Sequence, residues 1–94
     1  MIVRAGPYVF SELHVNPDRT LVDLSIDGRG GVGDDETPEG HWWFVAANDA
    51  DEIVALQLVD PVETLRRDGA VNVTLPSGGK VAVEGIEEAL RQPA

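Results

Sequence analysis

The chain has 94 residues, 17 acidic against 7 basic side chains, a formal net charge of -10 and no cysteine. That length accommodates one domain spanning 1–94, and an apolar content of 43% is enough for a core. Disulfides, thiolate catalysis and Cys-ligated zinc are excluded, and no apolar run approaches the roughly 18 residues of a membrane span.

In chain order, the opening Met1–Pro7 does not read as a signal peptide, because its apolar stretch ends at Arg4 and Pro7, and a cytoplasmic location is the expectation. Tyr8–Val15 reads as a strand. Asn16-Pro17-Asp18-Arg19 follows as a turn, with Pro17 presetting φ. In Thr20–Asp27 the residues Val22, Leu24 and Ile26 alternate with Asp23, Ser25 and Asp27, the period of a half-buried strand, which completes a first hairpin. The connection Gly28–Gly40 carries five of the ten glycines and the acids Asp34, Asp35, Glu36 and Glu39, and is expected to be a mobile loop.

His41–Ala47 and Ile53–Val59 form a second hairpin around the polar loop Asn48–Glu52. Both are almost continuously apolar, which predicts central strands covered on both faces. On the first of them Trp42 and Phe44 point one way and Trp43 the other. Asp60-Pro61-Val62-Glu63-Thr64-Leu65-Arg66-Arg67-Asp68-Gly69 carries the signature of a short helix: Asp60 as a capping side chain, Pro61 at the first helical position, two arginines near the end and Gly69 as the stop. Ala70–Leu75 and Lys80–Glu84, joined by Pro76-Ser77-Gly78-Gly79, give a third hairpin, and Ile86–Gln92 a second short helix ended by Pro93. The strand–turn–strand–helix order of 41–68 returns in 70–92. The expected fold is α+β: a mostly antiparallel sheet of about six strands in three hairpins, with two short helices.

Most motifs fail on their context. Gly28-Arg29-Gly30-Gly31-Val32-Gly33 matches the dinucleotide fingerprint G-x-G-x-x-G, but acids and then Pro38 follow where a helix N-terminus is needed to receive a phosphate. Asp49-Ala50-Asp51 begins like a calcium loop, yet Ile53 replaces the next ligand and the required glycine is missing. The histidines, His14 and His41, and the serines have no elbow motif that would assemble a hydrolytic triad.

Acidity argues against a nucleic-acid partner and an anionic membrane surface, both of which need lysine and arginine. Two readings of it remain: solubility alone, or a basic protein partner steered in by the field. Within the aromatic run Trp42-Trp43-Phe44, one indole set fills the core and the other is a natural interface anchor.

The stretch Gly40–Val62 resembles the hairpin of a small, uncharacterised bacterial domain-of-unknown-function family. That family reads apolar strand, D-x-D-G turn, then a strand similar to V-V-G-I-E-I-L-D-A. Here Asp49-Ala50-Asp51-Glu52 precedes Ile53-Val54-Ala55-Leu56-Gln57-Leu58-Val59-Asp60, with Glu52, Ala55 and Gln57 departing from the pattern. Asn16–Leu24 is similar to the family's opening segment, and the third hairpin falls outside the match. The resemblance implies a small β-rich domain and brings no catalytic residues.

The sequence thus leads to a non-catalytic, cofactor-free acidic protein that binds a basic partner, in the manner of an immunity protein or inhibitor. Its candidate contacts are Asp34, Asp35, Glu36, Glu39, Trp42 and Trp43. A homo-dimer through the second hairpin is a further expectation. The alternative is a small enzyme or divalent-metal protein using the acidic loop and His41.

Overall fold

The period-2 segments become strands, and their apolar sides are gathered into one core. The computed structural model describes residues 3–28 and 31–91, with Asp34 described by its backbone. Among the described residues nine strands run in order: β1 Val3–Ala5, β2 Tyr8–Phe10, β3 Glu12–Val15, β4 Leu21–Ser25, β5 Val32–Glu36, β6 Trp42–Ala46, β7 Asp49–Val59, β8 Asn72–Thr74 and β9 Lys80–Glu84. Helix α1, Pro61–Asp68, lies between β7 and β8, and α2, Ile86–Arg91, follows β9. The strands form a four-stranded sheet of order β2-β1-β9-β8 and a five-stranded sheet of order β3-β4-β7-β6-β5, with antiparallel pairing throughout. The α+β architecture, dominated by antiparallel strands and carrying two short helices, is the one the patterning predicts.

Alternation assigns each strand a buried side. Val22, Leu24, Trp43, Leu56 and Leu58 of the larger sheet join Val3, Ala5, Phe10, Val73 and Val83 of the smaller in a single cluster. The helices contribute Ile86, Ala89 and Leu90, with Val62 and Leu65 at the margin. The Trp43 ring stands 5.3 Å from Tyr8 and 6.5 Å from Phe10, so it bridges the two sheets at the centre of the core.

Several elements differ from expectation. The segment Tyr8–Val15 is two strands in two sheets, broken at Ser11. There the amide donates to the Ser25 carbonyl at 3.0 Å, and the hydroxyl accepts the Asp27 amide at 3.0 Å. Phe10 is buried and His14 exposed, although a single strand over 8–15 would put both on one face. A hairpin unforeseen in the sequence, β1–β2, turns at Gly6-Pro7, with Gly6 at φ 58°.

The connection 28–40 is not a loop throughout, because residues 32–36 form β5 against β6, with an irregularity between Gly33 and Asp35. Arg29 and Gly30 of that connection, and Gln92 and Pro93 at the end of the second helix, lie outside the described residues. The polar loop expected at 48–52 shrinks to a turn at Ala47-Asn48, and β7 begins at Asp49. β6 and β7 hold the predicted central positions, but only one face of each is fully covered: Val54, Leu56 and Leu58 are buried, whereas Ala55, Gln57 and Val59 are half-exposed. Asp60 takes a left-handed conformation (φ 51°) and its side chain makes no capping bond, so α1 begins without the expected cap. Gly69 does end the helix as predicted, at φ 78° with its amide on the Leu65 carbonyl.

Candidate partner-binding surface

The turn joining β5 to β6 fixes the centre of the site. Thr37 donates its amide to the His41 carbonyl at 2.7 Å, Gly40 donates to Thr37 O at 2.9 Å, and the His41 amide donates to the Thr37 hydroxyl at 3.1 Å. Gly40 stands at φ 90°, a conformation open to glycine at little cost. The turn drives the His41 ring inward, where Nδ1 accepts the Val59 amide at 3.0 Å. Burial lowers the His41 pKa, and the nearby Glu39 charge only partly opposes this. His41 is therefore a neutral acceptor that satisfies a strand amide.

Glu39 is equally structural. Its carboxylate accepts the Thr74 amide and the Thr74 hydroxyl, each at 2.9 Å, and Lys80 Nζ stands 3.8 Å away. Burial by itself would raise this carboxyl, but hydrogen bonds from the Thr74 and Thr37 side chains and the Thr74 amide outweigh it and hold the pKa below the usual glutamate value. Trp43 Nε1–H donates to the Thr74 carbonyl at 2.9 Å. Glu39 of the β5–β6 turn and Trp43 of β6 thus occupy the backbone groups of Thr74 in the smaller sheet.

Of the six residues expected to contact a partner, the structure divides the set. Trp43 is only 2% exposed and belongs to the core. Glu39 is committed to Thr74. The side chain of Asp34 lies outside what is described. Asp35 and Glu36 are exposed, and Trp42, directly opposite Glu36 in the β5–β6 register, is 37% exposed. Beside them a cleft of about 240 Å3 is lined by Asp35, Glu36, Trp43, Thr74, Leu75 and Pro76 among others.

A row of outward residues continues from Glu36 through Trp42, Gln57 and Asp23 to His14. Gln57 Nε2 donates to Asp23 Oδ1 at 3.0 Å, which holds the middle of that row.

Charge is segregated between the sheets. Strands β3 to β7 carry eight carboxylates (Glu12, Asp23, Asp34, Asp35, Glu36, Asp49, Asp51 and Glu52) and neither lysine nor arginine. Among the described residues the bases sit elsewhere and are occupied locally. Arg4 pairs with Glu84, Arg66 with Glu63, Arg67 with Asp68, Lys80 with Glu39 and Arg91 with Glu87. Arg19 donates to the Leu90 carbonyl at 2.7 Å. Sequence reading gave the net charge but missed this segregation. The signal was present in the arginines of 66, 67 and 91, which fall on the helices and not on the larger sheet's strands.

For the metal alternative, no group of three or more His, Asp or Glu side chains is placed to hold an ion among the described residues. No described helix is long and apolar enough to cross a membrane. Comparison with protein-family models, curated proteins and solved structures finds no match to this chain.

Proposed function

We propose that this protein is a non-catalytic binding protein that receives a basic protein partner on its five-stranded sheet, as an immunity protein or inhibitor would. The observation that carries the reading is the segregation of charge: β3–β7 carry eight carboxylates and no Lys or Arg, and one of them, Glu36, stands opposite the exposed indole of Trp42. Such a surface steers a cationic partner into contact, and a half-exposed tryptophan supplies an apolar anchor once contact is made. The homo-dimer expected from the second hairpin would set these carboxylates against their own copies, so the reading favours a heterologous partner. The encounter belongs in the cytoplasm on this reading, and calls for no cofactor.

The test is comparative capture from a lysate of the source cells, over the wild-type protein and over the double variant Glu36→Gln, Trp42→Ala. The proposal expects basic proteins retained by the wild type and released by the variant. Identical sets on both surfaces, or a retained set without basic character, would overturn it.

A further inference from the structure

The two sheets end in edge strands, whose outward backbone groups are templates for another strand. The chain itself occupies the end of one of these edges. Thr74 of β8 has its amide taken by Glu39 and its carbonyl taken by Trp43. β5, at the end of the larger sheet, is treated differently. The bond from the Thr37 amide to the His41 carbonyl makes 37 and 41 a hydrogen-bonded pair. Antiparallel pairs alternate, so Glu36 opposite Trp42 is the next, non-bonded pair, and its own N–H and C=O point away from β6 toward the open side. Among the described residues no strand pairs with that side.

We infer that the open edge of β5 accepts an extended, lysine- or arginine-bearing segment of the partner as a sixth strand of this sheet. The inference rests on the proposed binding of a basic partner and specifies its form. Main-chain bonds to an exposed edge supply affinity without regard to sequence, while alternate side chains of the incoming strand supply selectivity. Asp35 and Glu36 give the edge its sign, and both line the adjoining cleft of about 240 Å3. A long basic side chain entering there lays its aliphatic stem against Leu75 and Pro76 and leaves its charged end at Asp35, which shares the Trp43 side of β5. The same carboxylates repel the β5 of a second copy, so the edge discriminates against self-pairing. The opposite edge, β3, carries only one carboxylate, Glu12, and has His14 among its four residues.

The experiment uses the full chain, isotope-labelled for amide NMR, and a short end-blocked peptide of alternating lysine and valine at low salt. A second peptide has the same sequence with N-methyl groups on every other residue, which removes the donors along one edge and keeps the charge. The inference expects slowed amide exchange at Glu36 and its β5 neighbours with the first peptide, and binding weakened at least about tenfold by N-methylation. Equal binding of the two peptides, or protection confined to β3 or to the outer face around Trp42, would overturn strand addition while leaving the basic-partner reading in place. Failure of both peptides to bind would overturn that reading as well.

Discussion

Replacing Glu39 separates the structural carboxylate from the exposed carboxylates of Asp35 and Glu36 only a few residues away. In Glu39→Ala the Thr74 amide and hydroxyl both lose an ionised acceptor that is 17% exposed, and Lys80 loses its counter-charge. Hydrogen bonds to charged groups contribute about 1.5–3 kcal/mol, and water entering from the cleft replaces part of that, so the substitution should cost about 2–3 kcal/mol in all. At roughly 4–8 °C per kcal/mol for a domain of this size, Tm falls by about 10–20 °C. The double variant Asp35→Asn, Glu36→Gln alters exposed groups and should stay within about 0.5 kcal/mol of the wild type.

The pH dependence of Glu39 follows from the same contacts. Its folded pKa lies below its unfolded value, so the unfolded chain takes up the proton first. The contribution is complete above the unfolded glutamate pKa and is lost as pH falls through the folded value. Urea denaturation of wild type and Glu39→Gln over an acidic pH series measures this, because the difference between them cancels the general relief of self-repulsion on acidification. A Glu39→Ala variant as stable as the Asp35, Glu36 double variant would refute the assignment.

Three further outcomes follow. Trp43→Ala empties the bridge between the sheets and should cost about 3–5 kcal/mol, whereas Trp42→Ala should cost under about 1 kcal/mol; thermal melts by circular dichroism distinguish them. His41→Phe leaves the Val59 amide without its acceptor, at a cost of about 1–3 kcal/mol. Because the folded His41 pKa is depressed, wild-type stability from this group is full above the ordinary histidine pKa and declines as pH falls through the folded value. The phenylalanine variant should lack that slope in urea titrations at neutral and mildly acid pH. Gly31→Ala would place a Cβ 2.5 Å from the Val45 carbonyl oxygen and 2.5 Å from Val54 Cγ2, so β5 must shift, and amide exchange at Val32–Glu36 should accelerate with little change in β3–β4.

The strands legible in the sequence are those whose own side chains state their burial. Val22, Leu24 and Ile26 alternate with polar residues, and β4 lies where they place it. The helix end at Gly69 was equally readable, because a left-handed stop is a local property of glycine. β5 was not readable, since Val-Gly-Asp-Asp-Glu has a single strand-favouring residue and is held by its pairing with β6, a tertiary effect that overrides propensity. The break at Ser11 was hidden for a related reason. Tyr8–Val15 keeps its strand character, and the change of sheet depends on partners at Ser25 and Asp27.

At the candidate site, composition gave the residue types of the segment but not which of its side chains face solvent and which are taken up by the fold. Glu36 and Glu39 are the same residue type three positions apart. One faces solvent and the other reaches Thr74 because the turn at Gly40 carries it across to the second sheet. Trp42 and Trp43 were correctly assigned to opposite faces, and which face is the core was decided by the smaller sheet covering Trp43.

If the carboxylates of β5 receive a basic partner, as proposed, their charge must set the rate of encounter. The most direct measurement is the association rate of the lysine–valine peptide across a range of salt concentrations, followed by tryptophan emission, for the wild type and for Asp35→Asn, Glu36→Gln. Association of the wild type should be fast at low salt and fall steeply as salt screens the field, with a slower, flatter dependence for the variant, whose melting temperature should be unchanged. Equal rates and equal salt dependence in the two proteins would contradict the proposal.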